Sequence, residues 1–223
     1  MKKGIYVLLL FILMSCSRNE PRINSIFHQF NLQQNTELNK IEKKLSLFVQ
    51  VQDEDGLSDI DSIYILNDQN DFFWTLKSDQ WFMTQREGQD WIGSNSLVFP
   101  DNYDFSARNF RILCEDLSGA YAESSFTLSL PENINPSLVY PSVKFDSNSI
   151  KVISPVAEPM LWTYDLENNF VAYFPVPREG VNINTITSRK SSLREGFDYT
   201  LYYYSDEFKI GVLSGPYHFE ANP

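Results

Sequence analysis

Apolar and polar residues alternate along most of this chain. Leu45, Leu47, Val49 and Val51 fall on one side of an extended segment, with Ser46, Gln50 and Gln52 on the other. That period of two is the signature of a half-buried strand. The same signal predicts strands over 63–66, 72–76, 81–85, 108–115 and 121–130. The last two are joined by Asp116-Leu117-Ser118-Gly119, turn chemistry that predicts a hairpin. An edge strand is expected over 23–32. Beyond residue 141 the pattern resumes over 143–145, 149–153, 161–164, 170–174, 182–187, 199–204, 209–213 and 216–219. The turn Glu167-Asn168-Asn169 lies between two of these runs. Nowhere do strong helix formers recur at 3.6 spacing for three turns. Short strands separated by turn residues predict an all-β chain built of sandwiches.

Pro131, Pro136 and Pro141 punctuate the middle of the chain. Proline lacks a backbone donor and is poorly suited to central strands. The expected organisation is therefore one sandwich over 22–131, a linker over 132–140 and a second sandwich over 141–223. In the second half, Leu193, Gly196 and Tyr199 hold the spacing of the approach to strand F in fibronectin type III domains, with Glu195 where that family usually has Pro. The segment resembles a tyrosine corner, where the chain turns from one sheet to the other. The run from Val49 to Ile60, and Cys114 to Gly119, resemble the opening turn and last hairpin of bacterial immunoglobulin-like repeats. The resemblances imply two tandem immunoglobulin-like or fibronectin-III-like sandwiches, and say nothing of a ligand.

The start of the chain has a different character. Lys2 and Lys3 precede the apolar run Ile5 to Leu13, far shorter than the ~20 residues that span a bilayer. A basic start, a short apolar core and small residues at a cut are the parts of a secretory signal. Leu13-Met14-Ser15-Cys16 resembles the lipobox of bacterial lipoproteins. That resemblance implies removal of residues 1–15, diacylation of Cys16 and a lipidated leader over 16–21. Two acyl chains anchor stably where one is marginal. By the same analogy, Ser17 after the cysteine favours the outer membrane, with the body of the protein in the periplasm or at the cell surface.

Charge narrows the partners. The chain carries 18 basic and 29 acidic residues, a net charge of −11, and loses two lysines with the leader. Nucleic acid, whose binding rests on neutralising phosphates, is excluded as a partner. Besides Cys16 there is one cysteine, Cys114, so no internal disulfide is expected once Cys16 is acylated. Cys114 reads as a small buried hydrophobe sharing a strand face with Phe110 and Ile112. Asp53, Asp55, Asp59 and Asp61 crowd around Gly56 and form the best candidate for calcium, which takes oxygen ligands. Placed on an EF-hand loop, however, the segment has Val51 and Ser62 where two ligands belong, and a solvated acidic turn explains the same residues. His28 and His218 are too few for a structural zinc site. No nucleophile elbow, zinc-protease helix or phosphate-binding glycine loop occurs. The sequence thus reads as non-catalytic and without a cofactor.

Aromatic residues make up 15% of the chain. Alternation puts Tyr199, Leu201 and Tyr203 on one face of their strand and Tyr202 and Tyr204 on the other. Tyr202, Tyr204 and Trp81 are the candidates for an exposed binding surface. The expected function is a membrane-anchored, non-catalytic interaction or assembly module whose partner is an envelope protein. The alternative is a glycan-binding lipoprotein, and a hydrolase comes third.

Overall fold

The computed structural model describes residues 19–131, 138–146 and 149–220. Fifteen strands and one short helix follow in order: β1 (Arg22–Asn35), β2 (Lys40–Gln52), β3 (Ile60–Asn67), β4 (Phe72–Lys77), β5 (Phe82–Arg86), β6 (Gln89–Val98), β7 (Asn109–Asp116), β8 (Tyr121–Thr127), β9 (Ser142–Asp146), β10 (Ser149–Ile153), β11 (Met160–Tyr164), β12 (Phe170–Pro175), β13 (Val181–Asn182), α1 (Ile183–Arg189), β14 (Gly196–Ser205) and β15 (Ile210–Glu220). The all-β class expected from alternation is the class observed. The strands form an eight-stranded sheet of order β12-β11-β14-β15-β1-β2-β6-β5, a four-stranded sheet β4-β3-β7-β8 and a three-stranded sheet β13-β10-β9. Among the described residues no helix is long and apolar enough to cross a membrane.

The chain divides into two compact units, and the division does not fall at 132–140. One unit comprises residues up to Ile26 with Val49–Ile92 and Phe110–Phe126; the other comprises Phe27–Phe48, Gly93–Asn109 and Thr127–Pro223. The physical reason is strand length. β1, β2 and β6 are 14, 13 and 10 residues long, and each contributes one end to each unit. Of the linker itself, residues 132–137 lie outside the described residues, as do the lipobox and Cys16.

In the first unit the four-stranded sheet buries Ile63, Ile65, Phe110, Ile112 and Cys114, while Val49, Val51 and Ile92 are buried on β2 and β6. Each such aliphatic side chain contributes about 1.5–3 kcal/mol by leaving water. Phe110 stacks between Trp74 (6.2 Å) and Phe126 (5.2 Å). The predicted β7–β8 hairpin is present, its turn closed by Asp116 Oδ1, which accepts from the amides of Ser118 and Ala120 at 2.8 Å each. Cys114 is buried as expected, and burial pushes its thiol up to about 12.

In the second unit one core is formed by Ile150, Leu161, Phe174, Leu193, Phe197, Tyr199 and Leu201 with neighbours from β13 and α1. Tyr199 stacks on Tyr217 at 5.3 Å. The β11–β12 hairpin runs across the predicted turn, with Asn168 at φ 66°.

Two expectations need correction. The segment 182–187 is not a strand: Asn182 ends β13 and caps α1, its side chain accepting from the Asn184 amide at 2.8 Å. Ile183 and Ile186, three apart, are both buried, so tertiary packing on one helical face overrides the β propensity of Ile and Thr. The segment 23–32 is not an edge along its whole length: β1 runs on to Asn35, and the pairing with β15 covers Asn31–Asn35. β1 lies inside the large sheet between β15 and β2, and pairs with β15 in parallel, Asn31 opposite Gly211 and Asn35 opposite Gly215. A parallel partner from the far end of the chain leaves no local sequence signal.

Candidate functional site

The site lies on the face of the large sheet opposite the second unit's core. In β14, Tyr199, Leu201 and Tyr203 are buried, so alternation turns Tyr202 and Tyr204 to the other side. Cross-strand register fixes their neighbours. Tyr202 lies opposite Met160 and Leu213, and Tyr204 opposite Gly211. Trp162 lies opposite Thr200 and Tyr173, hence on the same face. The Trp162 and Tyr202 rings stack at 4.6 Å with 18° between their planes. Tyr204 is 40% exposed and Tyr173 58%.

Beside these rings runs a row of carboxamides. Gln29, Asn31, Gln33 and Asn35 alternate along β1 and share a face, the last three buried. Buried amides are costly unless hydrogen-bonded, and these are. Gln29 Nε2 donates to the Tyr202 hydroxyl at 3.0 Å and to Asn31 Oδ1 at 3.1 Å. Asn31 Nδ2 donates to Ser46 Oγ at 2.8 Å, Gln33 Nε2 to the Gly215 carbonyl at 2.7 Å, and Asn35 Nδ2 to Glu42 Oε2 at 3.0 Å. Glycine at 211 makes this convergence possible. A Cβ there would lie 2.1 Å from Asn31 Oδ1, 2.5 Å from Gln29 Nε2 and 2.8 Å from Tyr202 Cε2.

A cleft of 510 Å³ opens here, with Gln29, Tyr202, Tyr204, His28, Ser129 and Lys209 among its walls. Burial lowers the His28 imidazole below its ordinary value, against a hydrogen bond with the Thr127 backbone. Further along the same face sits the ion pair Lys44–Glu42, at 3.4 Å, its side chains 12% and 7% exposed. Burial acts to raise the Glu42 carboxyl, but the Asn35 amide and Lys44 outweigh it and hold the group below its ordinary range. Burial outweighs Glu42 in turn and lowers the Lys44 ammonium.

Of the candidate surface residues, Tyr202 and Tyr204 therefore come together. Trp81 does not join them: it precedes β5 and belongs to the other compact unit. Trp162, Gln29 and Gly211 belong to the site and were missed. Their alternation is ordinary, and cross-strand register alone brings them beside the tyrosines.

The acidic candidates separate. Carboxylate oxygens of Asp53, Asp59 and Asp116 lie within 4.8 Å of one another. Asp55 and Asp61 are not among them. The Asp55 amide donates to Asp53 Oδ1 at 2.7 Å, and Asp61 accepts from Lys77 at 2.6 Å. The Asp59 carboxyl is pushed above its ordinary value by desolvation and by Asp116, Asp53 and Asp55. Asp53 and Asp116 each spend an oxygen on closing a turn, which is a structural use for the cluster.

His218 Nδ1 meets Asp198 Oδ1 at 2.6 Å, and its Nε2 faces Glu220 at 3.6 Å. A histidine and carboxylate of this kind serve a hydrolase when the other ring nitrogen activates a hydroxyl or thiol. Here that nitrogen faces a second carboxylate.

No protein-family model and no curated protein matches the chain. Among solved structures, the chain is similar to a complex described as Dpr11 IG1 bound to DIP-gamma IG+IG2. The identity is 8% and the TM-score 0.25, over 88% of this chain and 98% of that one. A likeness at that level carries no argument about partner or activity.

Proposed function

We propose that this protein is a lipid-anchored, non-catalytic binding module of the bacterial cell envelope, with immunoglobulin-like or fibronectin-III-like ancestry, held at the outer membrane through acylated Cys16. It holds a partner against the aromatic and carboxamide face of the second unit. The observation that carries the reading is the stacked Trp162–Tyr202 pair with exposed Tyr204 beside it, flanked by Gln29 over a bare glycine. Tyrosine and tryptophan offer a broad apolar surface with a polar edge, the chemistry of protein contacts. An envelope protein is accordingly the first class of partner.

A second reading, an envelope glycan, is favoured by one feature of that geometry. Nearly parallel rings beside carboxamides that both donate and accept suit the CH faces and hydroxyls of a sugar.

The test is crosslinking on intact cells from a photoreactive residue at position 204, with Cys16→Ala as the anchoring control. Capture of a defined envelope component that Trp162→Ala abolishes supports the module. A Cys16→Ala protein that is processed and membrane-bound like the wild type removes the lipoprotein premise. Uniform labelling indifferent to Trp162 removes the binding face.

A further inference from the structure

The same face carries a second cleft, of 370 Å³, whose lining is unlike that of the first. Its walls include carboxamides from three parts of the unit, Gln33 on β1, Asn95 on β6 and Asn168 in the β11–β12 turn, and the hydroxyls of Thr200 and Tyr164. The sheet curls enough here for Tyr164 on β11 to share a side-chain hydrogen bond with Asn95 on β6, although four strands stand between them in the sheet order. Strands from both halves of one curled sheet thus line the cleft, with Asn168 added from a turn.

Its polar groups are positioned in advance. Gln33 is 4% exposed and commits its nitrogen to the Gly215 carbonyl, and among the described residues no donor meets its Oε1. Thr200 is 6% exposed and its hydroxyl has no protein partner among the described residues. An acceptor and a hydroxyl that reach a small cleft from nearly buried residues, with no protein partner, are each open to an incoming polar group. The charges limit what that group is. Lys44 is already paired with Glu42, Asp198 with His218, and Glu37 adds an acidic group at the wall. An anion meets no uncommitted cation here.

We infer that this cleft binds one neutral saccharide unit of an envelope glycan, its ring hydroxyls exchanging hydrogen bonds with Gln33, Asn95, Asn168 and Thr200. The inference rests on the glycan reading of the neighbouring aromatic face. The volume falls at the lower end for small-molecule sites, which matches a single polar ring rather than a long chain buried whole.

The experiment uses the full mature lipoprotein in mild detergent. It is screened on an array of neutral hexose and N-acetylhexosamine oligosaccharides, and the best binder is measured by titration calorimetry, with oligogalacturonate as the acidic probe. Two variants delete cleft groups with little demand on the fold. Thr200→Val removes the hydroxyl at constant shape. Asn168→Gly removes an exposed carboxamide while keeping a residue that tolerates positive φ. Unfolding midpoints check that both remain folded. The expected result is a neutral binder that each variant weakens about tenfold, the worth of one hydrogen bond, with no competition from oligogalacturonate. Sugar binding untouched by both variants but lost in Tyr204→Ala overturns the cleft and leaves the glycan reading standing. Tighter binding of oligogalacturonate overturns the neutral assignment. Absence of any neutral binder on the array overturns both cleft and glycan reading, and leaves a protein partner for the face.

Discussion

Replacing Gly93 by alanine tests the packing of the large sheet where the structure is least forgiving. Gly93 sits in β6 beside β2, and its backbone conformation is one any residue adopts. The cost comes from space. A Cβ at 93 would lie 2.0 Å from the Leu47 carbonyl oxygen, 2.7 Å from Phe48 Cα and 2.9 Å from the Leu47 carbonyl carbon. Ordinary contact begins at 3.4 Å, so the two backbones must part by about 1.4 Å. A ladder hydrogen bond near 2.9 Å stretched that far is broken. Two such bonds at ~0.5–1.5 kcal/mol each, with overpacking at ~1–3 kcal/mol, give roughly 2–6 kcal/mol. Alanine's smaller backbone entropy loss returns ~0.5–1 kcal/mol. The remainder is a large share of a domain stability of about 5–15 kcal/mol. Urea unfolding followed by tryptophan fluorescence measures it. Gly211→Ala is the companion variant, because its close neighbours are side-chain atoms rather than backbone, so the ladder itself need not part. A loss below ~1 kcal/mol for Gly93→Ala, or a larger loss for Gly211→Ala, would refute the reasoning, since steric cost follows how far neighbours can yield.

Four further outcomes follow from the same structure. Glu42→Ala strands the nearly buried Lys44 ammonium and costs about 3–5 kcal/mol at neutral pH by denaturant unfolding. Because the Glu42 carboxyl is held below its ordinary value in the folded state, its contribution is present above its unfolded pKa and fades as pH falls through the folded one; Glu42→Gln therefore flattens the acid side of the stability profile. Cys114, buried and pushed up to about 12, resists alkylation in the native protein at neutral pH and reacts once guanidinium unfolds the chain, as mass spectrometry will show. Asn182→Ala removes the cap of α1 and lowers stability by about 0.5–2 kcal/mol in the same unfolding assay, with the strands unchanged by circular dichroism.

The sequence exposed what is local. Alternation located most strands, turn residues located the β7–β8 and β11–β12 hairpins, and period two placed Tyr202 and Tyr204 on one face. What it hid depends on pairing across long separations. β1 reads as an edge because its partner β15 lies at the other end of the chain, and the division into units escapes notice because three long strands each serve both. Trp162 looks like any strand tryptophan until register sets it diagonal to Tyr202. Asp116 joins Asp53 and Asp59 only when the hairpin turn returns to the acidic loop. Trp81, equally conspicuous in the sequence, belongs to the other compact unit.

The parallel pairing of β1 with β15 also bears on how the protein is made. Asn31 cannot find Gly211 until synthesis has passed residue 211, and contacts of such separation form late and slowly. Until then a nascent chain lacks the strand that links β14 to β1 in its largest sheet. Deleting β15 would leave β1 without that neighbour rather than merely trimming a tail.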